Sequence, residues 1–446
     1  MGLLNVLRFQ SLIAVAIQFF LFFSLLTGQI KAGILDPTFG TDGKTTTDFP
    51  FSASLTYSSN GTNIFVQPSG RIVGVGIHSQ SGADGSTRGV TMAGLTSAGA
   101  IDPSFSGGKT IDWNSAALTG LSDVHMLTDG RILRLSTISS LFGTRVTKLI
   151  RTNTDGSTDS FSPDLTINGT LAFGLKFVVL DNGKILVLLF NQTGYFSYYL
   201  VKLNSDGSRD TTFGNGGEKE IVRLSNTLRD PFVSAMQVLP NGKIVIAGPM
   251  GWRGATEDFA EYYILRLDPN GNADRSFGNI GLAKISFGGQ RVFSSALIIQ
   301  PDGKYIMAGG IKNPDTDALL VRFTQRGRID FGFGSAGKVV SDFSNAANDY
   351  FSAAANAPGD KIIVAGQASN AASTGFTNFL VARYSADGIF EASTQTSFTA
   401  SQNSGANSLI IQPDEKILVI GFTKNPDPTV NGNVFAFARY ISITND

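Results

Sequence analysis

Seven times along this chain an apolar run enters a tight turn, meets a basic residue and leaves as a second apolar run. The phrase is fullest at Ile299-Gln300-Pro301-Asp302-Gly303-Lys304-Tyr305-Ile306-Met307-Ala308-Gly309, where the last residue reads as a glycine stop. It is a β-hairpin signal, because Asp-Gly and Asn-Gly pairs supply the positive φ angles that such turns require. A short unit that cannot bury its own faces must stack on copies of itself, so the repeat decides the architecture ahead of any local assignment. The basic residue after the turn is Arg71, Arg131, Lys184, Lys243, Lys304, Lys361 and Lys416, at successive spacings of 60, 53, 59, 61, 57 and 55 residues. Seven units of drifting length are expected.

Each hairpin is followed by a loop of variable length and a third strand such as Phe379-Leu380-Val381-Ala382-Arg383-Tyr384. A phrase of Asp, Phe and Gly comes next, as in Asp274-Arg275-Ser276-Phe277-Gly278, and then a fourth strand such as Gly337 to Phe343. The hairpin strands are apolar on consecutive residues, for example Ile244-Val245-Ile246-Ala247, which implies that both faces are covered. Radially stacked four-stranded blades meet that requirement, whereas a β-solenoid would bury one face per strand. The expected fold is therefore all-β, a seven-bladed β-propeller of four-stranded blades in one domain over residues 33–446. The last unit stops after its third strand, Phe435 to Tyr440, while Gly43 to Phe49 matches a fourth strand. The N-terminal strand is expected to complete the seventh blade and close the ring, which leaves few exposed edges.

With 35 basic and 35 acidic residues the chain has no net field to draw in nucleic acid. Arg8 followed by an apolar run from about Leu12 to Leu26 is near the length of a signal-peptide core and short for a membrane span. Residues 1–32 are read as a secretory signal, with a retained anchor as the alternative. A secreted, extracellular protein with no stable membrane span after cleavage follows from that reading. Cysteine is absent, which removes disulfides, thiol nucleophiles and thiolate metal sites and leaves the packed core to stabilise the chain.

The compound pattern Gln-Pro-Asp-Gly-Lys, Ala-Arg-Tyr, Ala-Asp-Gly and Asp-x-x-Phe-Gly-x-x-Gly-Lys, clearest from Gln300 to Phe343, resembles the delta-60 repeat family. The resemblance spans about residues 33–446 and implies a propeller-like repeat of exported or surface proteins, without an activity. The pattern departs at Gly94, where the third strand's basic residue is due, at the shortened Asp159-Ser160-Phe161, and at Glu391 to Phe398, where the Asp-Phe phrase has decayed.

In a ring, a residue repeated in every blade serves shared geometry, so function is sought in the exceptions. Arg151, Lys202, Arg266, Arg322, Arg383 and Arg439 recur at one place. They read as partners of the repeated Asp, for instance Asp210 or Asp274, in preference to a basic band for an anionic glycan. The Asp-Gly loops read as turns, since none supplies the close oxygen series that Ca²⁺ needs. No metal and no cofactor are expected.

Two loop sets share one face: those entering the inner strands, including residues 224–232 and 288–294, and those joining second to third strands, including 249–261 and 311–317. Loops on a rigid frame collect binding residues. Blade 4 carries Trp252, Arg253 and Tyr262 there, side chains that anchor interfaces, with a loop plug as the bland reading of Trp252. Asp123 and His125 on a predicted inner strand are candidates for the channel, though a core histidine is favoured, and Asp349 is a further acid. His78 is expected to be solvated in a polar loop. The sequons at Asn60, Asn168 and Asn191 fall on the same face and are no more than chance would place.

These readings converge on a secreted or surface binding module for a protein or glycan, expected to be monomeric. The competing class is a secreted propeller enzyme of lyase or glycosidase type with its site at the channel mouth, and a third is a structural component of a wall or matrix. No Ser-His-Asp order, paired carboxylate motif or phosphate loop supports the enzyme.

Overall fold

Pro301-Asp302-Gly303 joins the strands Val292–Ile299 and Tyr305–Lys312, with Gly303 at φ 80°. The third strand, Thr316–Phe323, and the fourth, Lys338–Ser341, complete this antiparallel blade. In the computed structural model, seven such blades stand around a common axis. It describes residues 34–49, 56–82, 85–113, 117–140, 145–161, 163, 165–167, 170–191, 197–221, 229–252, 259–312, 314–344, 348–369, 375–399, 402–427 and 429–441. Residues 1–32, read from the sequence as a secretory signal, lie outside them.

The consecutive apolar residues are explained by where their side chains go. In blade 5, Tyr305 and Met307 enter the core shared with blade 4, and Ile306 and Ala308 enter the core shared with blade 6. Seven such apolar clusters fill the seven seams between neighbouring blades. A fully buried side chain of this size contributes roughly 1.5–3 kcal/mol, and each strand draws on two seams at once.

The ring closes as the ends of the chain require. Lys44–Thr47 pairs with the last blade's third strand from Thr47↔Phe435 to Lys44↔Ala438, and Ile34–Leu35 pairs with its end at Tyr440 and Ile441. Blade 2 departs from the regular pattern where its Asp-Phe phrase is shortened. Among the described residues, its outer position holds a two-stranded pair, Thr166–Ile167 with Thr170–Leu171, and no laddered fourth strand. Blade 6 keeps its fourth strand, Phe390–Thr396, although the phrase before it has decayed.

Gly309 is not a stop. Its strand runs on to Lys312, and the glycine is there because the inner strand bulges opposite it between Ser294 and Ala296. A Cβ on Gly309 would lie 1.9 Å from the Phe293 carbonyl oxygen, and Gly248, Gly366 and Gly421 face inner-strand carbonyls at the same distance. A bulge bends a strand and tightens its twist, which suits the crowded inner ring.

Candidate functional site

Two faces follow from this geometry. The hairpin turns and the Asp-Phe phrases share one, called here the turn face; the long connections share the other.

On the turn face the repeated charges consume one another. Arg266 donates from Nε to Asp274 Oδ2 at 2.7 Å, and Lys243 from the hairpin turn reaches the same oxygen at 2.9 Å. The guanidinium carbon lies 4.4 Å from the ring centroid of Phe277, and Nη1 donates to the Gln325 carbonyl of blade 5 at 2.8 Å. The Phe277 ring in turn lies against Gly327, φ 78°, where a Cβ would sit 2.8 Å away. One acid, two cations, one aromatic ring and one turn glycine thus tie a blade to the next. The same set recurs as Arg322 and Lys304 on Asp330, Lys202 and Lys184 on Asp210, and Arg151 and Arg131 on Asp159. Burial alone would raise the Asp274 carboxyl, but hydrogen bonds from Lys243, Ser276 and Arg266 hold it well below the usual range. Lys184 and Thr212 lower Asp210 to about 2.

The exceptions obey the same logic. In blade 6, Glu391 stands in for the missing Asp and takes Arg383 at 2.8 Å and Lys361. In blade 7 the acid is Asp36, brought from the other end of the chain to Arg439 at 2.8 Å and Lys416 at 3.2 Å. Blade 1 lacks the third-strand base, and Arg71 alone holds Asp102 at 2.6 Å while Phe105 presses on the backbone of Gly94. The basic band is therefore a structural ion-pair series.

The residues singled out by sequence are not brought together. Tyr262 is wholly buried in the core between blades 4 and 5, edge-on to Phe287, and donates its hydroxyl to the Phe293 carbonyl at 2.5 Å. It therefore cannot belong to a surface patch. Trp252 ends the strand Ile244–Trp252 with its backbone paired to Arg229, and Arg253 lies outside the described residues.

Asp123 sits at the inner-strand bulge of blade 2, accepts from the Phe177 amide at 3.0 Å and lies 3.7 Å from Lys176 Nζ, so it fastens blade 2 to blade 3. His125 reaches solvent from the same strand, with its ring edge-on to Phe177 at 6.3 Å. Desolvation by the surrounding protein lowers its pKa against the pull of Asp123. Asp349 is fully buried and held by Ser344 Oγ at 2.8 Å and the Phe343 amide at 2.6 Å; burial outweighs these bonds and raises its pKa.

His78 corrects the expectation of a solvated loop. It is buried on Ile72–Gly82 at the seam of blades 7 and 1, bonded through Nδ1 to Ser59 Oγ at 2.7 Å and stacked on Tyr57. Burial lowers its pKa to about 4, with Asp48 opposing. Asn60, on the first strand of blade 1, accepts through Oδ1 from Asn433 of blade 7 at 3.1 Å. Among the described residues no group of three His, Asp or Glu is placed to hold a metal ion, and no helix is long and apolar enough to cross a membrane.

The feature that does open to solvent on the loop-rich face is a cleft of about 370 Å³ where blades 4 and 5 meet. Phe232, 59% exposed, and Pro249 line it from blade 4, and Arg291, Val292, Phe293, Ser294, Lys312 and Thr316 line it from blade 5, the Phe293 ring itself lying edge-on to Tyr350 of blade 6 at 5.2 Å. Arg291 and Lys312 face each other across adjacent strands, the Lys312 amide donating to the Arg291 carbonyl at 2.8 Å. The loops 224–232, 288–294 and 311–317 were expected on this face, but Phe232 escaped notice because it occupies a repeated aromatic place. Phe173, Phe293 and Tyr350 are its counterparts and are half-buried, whereas Phe232 is more exposed.

The fold and this arrangement define a seven-bladed propeller with a cleft on its loop-rich face. A family model described as a domain of unknown function (DUF5122) beta-propeller matches residues 181–213 and 239–277, in blades 3 and 4. No curated protein matches the sequence. Among solved structures, the chain is similar to a protein of unknown function from Dyadobacter fermentans DSM 18053, with 11% identity, 90% of this chain and 100% of that one covered, and a TM-score of 0.47. It is similar to a polysaccharide lyase of the PL25 ulvan lyase type, with 11% identity, 87% and 95% covered, and a TM-score of 0.49. It is also similar to the β-propeller domain of the Trilobed protease from Pyrococcus furiosus, with 9% identity, 88% and 99% covered, and a TM-score of 0.44.

Proposed function

We propose that the protein is a secreted or surface-displayed repeat propeller of the delta-60 kind that acts, as a monomer, as a binding module for a protein or glycan through its loop-rich face. The observation that carries this reading is the cleft on the loop-rich face, lined by residues that differ from blade to blade. The repeated cations of the turn face close on carboxylates and stack on phenylalanines. The cleft between blades 4 and 5 instead lies among blade-specific residues, with Phe232 and Pro249 on its blade 4 side, and concave surface with aromatic and apolar lining is where small ligands bind. Trp252, at the end of the blade 4 strand that also supplies Pro249, belongs to the same recognition surface in this reading.

The test is a glycan and protein array probed with the chain from residue 33 onward. Binding is expected, and Trp252→Ala is expected to weaken it while leaving the melting temperature unchanged. An array with no hit overturns the reading. A large fall in melting temperature for Trp252→Ala assigns that residue to a loop plug instead.

A further inference from the structure

The outer ring of the turn face is built from the turns that follow the third strands and from the Asp-Phe phrases, and it is not uniform. In blades 1 to 3 it carries no exposed large apolar side chain among the described residues; in blades 4 to 7 it carries several. Of eight such side chains open to solvent among the described residues, only Phe232 and Val340 lie elsewhere. The others are Ile280 of blade 4, Phe331 of blade 5, Ile389 and Phe390 of blade 6, and the paired ends Ile34 and Ile441 of blade 7. We propose that this crescent is the surface by which the protein rests on a lipid bilayer, with the loop-rich face turned away from it.

The crescent is continuous. The Gly278 amide donates to the Arg326 carbonyl at 2.9 Å and the Gly334 amide to the Asp387 carbonyl at 2.9 Å, so each phrase is seated on the turn of the next blade. Ile280, Phe331 and Ile389 therefore follow one another along one arc. These three side chains do little for the fold. Phe331 is 75% exposed where blades 2 and 3 have Ser160 and Thr211, and Ile389 is 67% exposed where they have Ser157 and Ser208. Ile280 holds φ 49°, a region that strains a β-branched residue, and its counterpart in blade 3 is Gly216. Apolar side chains that gain no burial, at places where other blades are polar, mark a contact made outside the chain.

Three observations select a bilayer as that contact. First, the side chains stand on separate turns along one flat end of a disc, an arrangement that lets them enter a planar interface together. Second, Arg275, Arg326 and Arg328 are exposed on the same turns and have no ion pair or side-chain hydrogen bond among the described residues. Arg326 occupies the place of Asp155 and Asp206 in blades 2 and 3. The neighbouring Asp302 and Asp387 are bonded to Lys304 and Arg322. Cations beside apolar tips match anionic headgroups above acyl chains. The exposed acids of blades 6 and 7, Asp360, Asp414 and Asp42, leave those blades to apolar contact, so charge attraction belongs to blades 4 and 5. Third, the chain enters the ring at Ile34, within the crescent, and the apolar run from about Leu12 to Leu26 precedes it. At most about 30 Å of extended chain separates Leu26 from Ile34. While that run occupies a bilayer, this edge of the disc is held near it.

The experiment is vesicle flotation of the chain from residue 33 onward, which holds every strand of the ring. It is expected to float with vesicles of phosphatidylcholine and phosphatidylglycerol, more weakly with phosphatidylcholine alone, and less as salt rises. Phe331→Ser combined with Ile389→Ser should weaken vesicle binding about tenfold and leave the melting temperature unchanged. Ile280→Asn should also weaken it and melt no lower than the parent, because Asn tolerates a positive φ. Arg326→Glu should weaken binding to the anionic vesicles alone. Val340→Ser, an exposed apolar residue on the outer strand of blade 5, should change nothing. A parent that does not float, or flotation that survives the double serine variant, overturns the surface. A parent that stays off vesicles but sediments as a dimer, which the double variant dissociates, assigns the crescent to a second copy instead. If the double variant melts early, Arg326→Glu decides, and undiminished anionic binding overturns the proposal. Failure here leaves the binding-module reading standing, because the array tests the opposite face.

Discussion

Arg266 on the turn face and Arg291 on the loop-rich face lie 25 residues apart in sequence and in neighbouring blades, yet they have opposite fates. Arg266 is almost wholly enclosed by Asp274, Tyr305, Phe277 and a carbonyl of the next blade. Arg291 lines an open cleft beside Lys312 and an exposed phenylalanine. The first position recurs in every blade but one, the second does not. Repetition therefore marks the charges that hold blades together, and the proposed binding role is sought at positions where the blades differ.

The largest test of the turn-face half of this comparison is the one cluster assembled from both ends of the chain. Removing residues 33–49 takes away Asp36, Phe39 and the outer strand of blade 7, and strands Arg439 and Lys416 without their acid. Loss of a single cooperative thermal transition is expected; a truncated protein that melts with the full one would refute the closure.

A graded comparison comes next. Asp274→Ala leaves a buried arginine and a lysine unpaired and is expected to cost about 3–5 kcal/mol in urea unfolding. Asp102→Ala, in the blade with a single cation and more exposure, is expected to cost about 1 kcal/mol. The reverse order would break the claim that the paired cations and burial set the strength of each cluster.

The last test is a pH window. His78 has a folded pKa of about 4 because it is buried, below the ordinary 6.5 of imidazole. Between these values the unfolded chain holds a proton that the folded chain refuses, so stability falls as pH drops from about 6.5 to 4 and levels off below. The loss is at most roughly 3 kcal/mol. The carboxylates of the turn face act with the same sign in a lower window: with Asp210 at about 2 against an ordinary 3.8, their contribution is lost as pH falls from about 4 to 2. His78→Asn should flatten the upper window and leave the lower one, as read by unfolding midpoints from pH 7 to 3. A slope between pH 6.5 and 4 that survives His78→Asn would place its origin elsewhere.

The ring, its seven sectors, the closure and the ion-pair series were legible in the sequence because each is written many times. Single departures were harder to read. Gly309 looked like a stop, since a bulge on the neighbouring strand leaves no local mark. His78 looked solvated because Ser79 and Gln80 follow it, but strands of this blade run long and turn that face towards blade 7. The decayed phrase of blade 6 hid Glu391, which does the work of aspartate from a longer side chain. Tyr262 was misplaced because alternation within a paired strand, not loop membership, decides which side chains reach water. Phe232 was passed over for the converse reason: its register is shared with its counterparts, and only the packing of its neighbours exposes it.

The carboxylate of Asp36 meets Arg439 across 403 positions of sequence. A ribosome making this protein therefore releases one half of the final clasp 403 residues before the other. Earlier sectors can stack as they emerge, but the first-made half stays unpaired until the second arrives, and so distant a contact forms slowly. Whatever holds the early segment unengaged during that interval, a chaperone or simply a vectorial passage that delays folding, decides how much of the product closes on itself and how much closes on a neighbour.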